Sequence, residues 1–143
     1  MKAVTLFAAA LLAGCASHVR MANMTPADLA EQSSMDLCQS YHWTTSKGTD
    51  RPDVRAELER REALTAEEWK LAESHEVRIG MSEVALMCAW GHPGPPCGSI
   101  DESVSSQGTT RKWVYRLCSY GKTQYVYTEN GVVIEHHGVD WQN

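Results

Sequence analysis

Hydrophobic positions along this 143-residue chain change their spacing near Pro96. Before it they recur every three or four residues, as on one face of a helix; after it they alternate, as on a strand with one buried face. The first half reads as four helices. Ser33-Ser34 cap "MDLCQSY". Pro52 fits the first turn of "RPDVRAELERR" and puts Val54, Leu58 and Arg61 on one face, and Thr65 with Glu68 has capping-box spacing ahead of Trp69 and Leu71. The fourth helix runs from about Glu83 to Trp90. Ser82 caps its free N–H groups and Glu83 suits the positive end of its dipole; Gly91 can close it and Pro93 forbids continuation. Val84, Met87 and Cys88 then form its core stripe. Between the first two helices, "TTSKGTD" is loop.

The second half reads as an antiparallel meander. "TRKWVYRLC" alternates Trp113, Tyr115 and Leu117 with Lys112, Val114, Arg116 and Cys118, and "QYVYTENGVVIEH" does the same around Asn130-Gly131, a strong two-residue hairpin signal. A slip of one residue would turn every aromatic to solvent, so the core pattern proposes the register. Tyr127 should face Ile134, Tyr125 His136, Trp113 Tyr127, and Tyr115 Tyr125. The buried sheet face is then expected to hold Trp113, Tyr115, Leu117, Tyr125, Tyr127, Val132 and Ile134, covered by helices. The fold class expected is α+β, with helices on one face of a three-stranded antiparallel meander and an extra helical segment before it.

The start of the chain carries an address. Met1-Lys2 is a short basic start, Ala3–Leu12 is an apolar run too short to span a bilayer, and Leu12-Ala13-Gly14-Cys15 follows. That tetrapeptide resembles the lipobox of bacterial lipoproteins, which implies removal of residues 1–14 and acylation of Cys15. Ala16, rather than an aspartate, favours the outer membrane, with the domain facing the periplasm and held by its acyl chains. Residues 15–32 read mostly as a lipidated tether with one helical turn after Thr25-Pro26. Residues 33–76 form a helical extension and 77–143 the α+β domain, with 33–143 expected to pack as one unit.

Gly80-Met81-Ser82 at a helix start, Gly91-His92-Pro93 at its exit, Trp113 and Tyr115 as Trp-x-Tyr, then Tyr127 and the Asn130-Gly131 turn, all behind a lipobox, resemble the BamE (SmpA/OmlA) family of small outer-membrane lipoproteins. The resemblance covers about Val77–Ile134. It implies two helices on a three-stranded antiparallel sheet, a shape shared with β-lactamase inhibitor proteins. It also implies a non-enzymatic accessory role in inserting β-barrels, through protein contacts. The extension at 33–76, the cysteines and Trp90 depart from the family pattern, and no partner-docking residue transfers by position.

The net charge is −5, and −6 once Lys2 is removed, which makes nucleic acid an unsuitable partner. Besides Cys15 there are Cys38, Cys88, Cys97 and Cys118, an even number for an oxidising compartment. If a strand over about Gly98–Ser105 turns near Gln107-Gly108, antiparallel partners sum to about 215. Ile100 then faces Tyr115, Ser99 faces Arg116, and Cys97 faces Cys118 at disulfide separation. Cys38–Cys88 remains by elimination, against two unpaired buried thiols. Cys88, His92, Cys97 and Cys118 are also zinc-ligating types, but their spacing is not a tight finger pattern.

His136-His137 reads as a solvated strand end, and His42 and His75 have no carboxylate or nucleophile at recognisable spacing. Glu57, Glu59, Arg60 and Arg61 read as a solvated helix face. No hydrolase triad, phosphate loop or paired-acid motif is present, so neither an enzyme nor a cofactor nor a metal is expected. Two readings follow: an accessory lipoprotein that binds an envelope protein, or a periplasmic inhibitor or ligand-binding module on the same fold.

Overall fold

The computed structural model describes residues 24–95, 98–117 and 122–140. The lipobox-like Leu12–Cys15 stretch, Cys97 and Cys118 lie outside them. Five helices and four strands follow in order among the described residues: α1 (Pro26–Glu31), α2 (Ser34–Ser46), α3 (Pro52–Arg60), α4 (Ala66–Ser74), α5 (Glu83–Trp90), β1 (Ser99–Ser105), β2 (Gly108–Leu117), β3 (Lys122–Glu129) and β4 (Val132–Asp140). The class is α+β, and the antiparallel sheet has the order β1-β2-β3-β4.

Four of the five described helices begin at a side-chain cap, and α3 begins instead at Pro52, without one. Thr25 and Asp28 form a capping box for α1, Ser33 caps α2, and Thr65 with Glu68 boxes α4. Glu68 serves twice. Its Oε2 accepts the Thr65 amide at 2.9 Å, and its Oε1 accepts the Ser82 amide at 2.7 Å, tying the starts of α4 and α5 together. The turn read after Thr25-Pro26 extends to the whole of α1, whose Leu29 is buried. Arg61 holds it there, donating to the carbonyls of Leu29, Ala30 and Gln32 at 2.6–2.9 Å, where the last carbonyls of a helix lack donors from within it.

The central element is α5. Ala85, Leu86, Met87, Cys88 and Ala89 are all buried, because the sheet lies beneath this helix while α2 and α4 pack against it. A disulfide joins Cys38 on α2 to Cys88 on α5 across 50 residues of sequence. With Cys88 so engaged, it is withdrawn from the Cys88/His92/Cys97/Cys118 zinc set. Gly91 closes α5 with φ +70°, and the His42 ring packs so tightly on it that a Cβ there would lie 2.5 Å from the imidazole Cδ2. The carbonyl of Gly91 accepts the Tyr115 hydroxyl at 3.0 Å.

The sheet departs from expectation in three ways, each with a local cause. It has four strands, not three. The fourth is β1, which falls where a strand over about Gly98–Ser105 was expected but was not counted in the meander, its "SIDESVS" being exposed along nearly its whole length. The β1–β2 partners sum to 213 rather than 215, because the turn is Ser106-Gln107: Ser105 pairs with Gly108, Ile100 with Trp113, and Ser99 with Val114. The register that set Cys97 directly opposite Cys118 is therefore not the one present.

The β2–β3 pairing is shifted by one residue. Trp113 pairs with Val126, Lys112 with Tyr127, and Val114 with Tyr125. Trp113 and Tyr115 face the helices as expected, but Tyr125 and Tyr127 face away, and Val126 and Thr128 take their places in the core. "YVYT" alternates in both phases, so large aromatics and β-branched residues make equal claims to the buried face. The Asn130-Gly131 turn forms as read, with φ of +49° and +84°. A bulge then shifts the β3–β4 register, so that Tyr127 pairs with Glu135 instead of Ile134. Val133 enters the core, while Val132 and Ile134 are 42% and 48% exposed.

Candidate interaction surface

The helix side of the sheet is organised by one buried carboxylate. Glu83, in the first turn of α5, accepts the Thr128 hydroxyl on one oxygen and the Arg111 guanidinium on the other. Thr128 in turn accepts Trp113 Nε1 at 3.2 Å, and Arg111 also binds Glu102 at 2.7 Å. Burial, and then the Glu83 charge, push the Tyr115 hydroxyl upward, so it remains a donor to Gly91. Beside this network α2 overhangs β1 and β2, leaving a cleft of about 320 Å³. Met35, Met87, Ile100 and Trp113 give it apolar walls, and Asp36, Glu83, Arg111 and His92 its polar groups.

At the other end of α5 the histidines gather. His75 Nδ1 donates to Ala89 O at 2.9 Å, and Trp90 Nε1 donates to His75 O at 2.8 Å. His42 and His136 flank this contact, edge-to-face with His75 and Trp90 respectively. Burial lowers the pKa of both, with neighbouring His75 adding to the effect at His42 and His137 at His136. The Nδ1 of His42 is buried without a hydrogen-bond partner.

The opposite face of the sheet is where the misassigned aromatics lie. The His137 ring stacks on Tyr127 and tilts against Tyr125, with centroids at 5.8 and 5.3 Å, and its Nδ1 meets Glu135 at 3.1 Å. Lys112 holds its ammonium 5.0 Å from the Tyr125 ring centre, within cation–π range. An open concavity of about 350 Å³ continues from this cluster, lined by Asp101, Ser103, Thr110, Lys112, Tyr127 and Ile134. The centre of this face, at Tyr125 and Tyr127, is only half-buried and faces away from the helices.

Several residues read as family motif have structural employment. Gly80-Met81-Ser82 clasps the hairpin: the Gly80 amide donates to Val133 O at 2.8 Å, the Val133 amide to Met81 O at 2.9 Å, and Ser82 bridges Val132. Pro93 is buried just past α5, and Trp113 is the largest fully buried side chain. Of the four residues read as a solvated helix face, Glu59 and Arg60 are exposed, whereas the Glu57 side chain is largely covered and bound by Arg60 and Arg61, and Arg61 also reaches α1.

Glu83 was read only as a favourable charge at a helix start. Its second role could have been suspected, since it is the one charged residue in "EVALMCAW", a helix otherwise apolar all round. Among the described residues, no cluster of three or more His, Cys, Asp or Glu side chains is placed to hold a metal ion, and no helix is long and apolar enough to cross a membrane. No family model, curated protein or solved structure matches this chain.

Proposed function

We propose that the chain is an acyl-anchored accessory lipoprotein of the cell envelope that acts by holding a protein partner. Its lipobox supports attachment through Cys15 to the outer membrane, with the domain in the periplasm, and the order of its motifs supports a BamE-like role in β-barrel assembly. One observation carries the reading furthest: the sheet is covered by helices on one side only, and its other side presents Tyr125, Tyr127, Lys112 and Ile134 around a concavity. Aromatic side chains beside a cation and aliphatic groups are what protein interfaces concentrate.

The cleft between α2 and the sheet favours a second reading, a ligand-binding or inhibitory module, because it combines apolar walls with a few fixed polar groups. Crosslinking the membrane-anchored protein in cells, followed by affinity capture, separates the two. Barrel-assembly components support the first, and a soluble hydrolase supports the second. Retention of the Cys15→Ser chain in outer-membrane fractions would contradict the anchoring that both share.

A further inference from the structure

The edge of the sheet at β4 is half occupied by the chain itself. Residues 80–82 lie along it as a short added strand, bonded at Val133 and bridged at Val132. Beyond Ile134, no described residue pairs with the outer edge of β4. Open edges of this kind are templates for a further strand.

The side chains beside this edge are apolar and strongly exposed: Ile79 at 70%, Ile134 at 48% and Val132 at 42%. Ile134 also lines the concavity together with Tyr127. The surrounding charge is negative. Glu129 pairs across from Val132, Glu135 follows Ile134 and meets His137, and Asp101 borders the concavity beside Lys112, while Glu102 there is paired with Arg111. Arg111 is already held by Glu102 and Glu83, and Arg78, beside Ile79, is held by Glu76.

We infer that the outer edge of β4 takes an extended segment of a partner protein in which apolar and basic residues alternate, added to the sheet as a further strand. Main-chain hydrogen bonds to β4 would seat it, its apolar side chains would cover Ile79, Val132 and Ile134, and its basic ones would meet the acidic rim. The same rim disfavours an anionic lipid surface. This inference rests on the reading of the domain as a protein-binding module and specifies the chemistry of the partner.

The test uses full-length protein extracted from membranes in neutral detergent and titrated with three short peptides. One alternates valine and lysine, one has glutamate in place of lysine, and one is the lysine peptide N-methylated on alternate backbone amides. The lysine peptide should bind, protect the amides of His136–Gly138 from exchange, and weaken about tenfold when salt screens the rim. Its glutamate and methylated counterparts should not bind. Ile134→Lys should abolish binding, and Ile79→Lys, which lies outside the sheet strands, repeats the test with β4 untouched.

Equal binding of the glutamate or the methylated peptide would overturn the inference, as would binding indifferent to both substitutions. So would protection of the same amides by phosphatidylglycerol-containing vesicles in the absence of peptide, which would make the edge a lipid surface. If no peptide binds while a photocrosslinker at Tyr127 still captures protein in cells, strand addition fails and protein docking stands. Failure of both removes the underlying reading.

Discussion

Glu83 on α5 and Thr128 on β3, 45 residues apart in sequence, are joined by a buried hydrogen bond from the threonine hydroxyl to the carboxylate. That bond belongs to the register in which Val126 and Thr128 face inward. In the opposite phase Tyr127 would be inward, and Glu83 would be buried without its hydroxyl donor. Replacing Glu83 by Leu leaves the Thr128 hydroxyl without its acceptor and Arg111 with Glu102 alone. The expected loss is about 1–3 kcal/mol in urea melts, the cost of buried polar groups left unpaired. An unchanged midpoint would mean that the network does not hold the register.

Trp113 and Tyr127 should behave oppositely. Trp113→Ala removes a ring that is 1% exposed, and should cost about 3–5 kcal/mol. Tyr127→Ala, on the open face, should cost about 1 kcal/mol or less. Equal large losses would return Tyr127 to the core.

The Cys38–Cys88 disulfide closes a loop of 50 residues. The chain-entropy model gives about 4 kcal/mol for such a loop, to be read as the difference between oxidised and reduced protein in denaturant. A reduced protein as stable as the oxidised one would contradict the pairing.

Stability should fall on mild acidification. His42 and His136 have pKa values lowered by burial, whereas in the unfolded chain each titrates near its ordinary 6.5. Below that value the unfolded chain binds more protons than the folded one, so stability rises with pH through this window and is lost as pH drops below it. His42→Gln should flatten the slope of melting midpoint against pH between neutrality and pH 5. A slope unchanged in that variant would place the titrating group elsewhere.

Helix positions were readable because capping is local. Ser33, Thr65, Glu68 and Ser82 each act within one turn of where they stand, and each starts the helix it was expected to start. The strands were readable as strands, and Trp113 as core. Which face of β3 is buried was not readable. In "YVYT" both faces are apolar enough, and the inward place of Thr128 is met by Glu83, which is distant in sequence.

The same dependence hid the open face. Tyr127 became an exposed aromatic only once its register was known, and Ile134 only once the bulge beside it was known. Strand β1 was expected over about Gly98–Ser105, but its turn falls at Ser106-Gln107, one residue earlier than Gln107-Gly108, and that moves the partner sum from 215 to 213.

The central claim, that this domain works by docking protein on the uncovered face of its sheet, is tested most directly by site-specific photocrosslinking in cells. A photoreactive residue at Tyr127 or Ile134 should give discrete adducts with protein, whereas the same residue at Glu67 or Glu73, exposed on the helical layer, should give none. Adducts from the helical positions with none from the sheet would contradict the account.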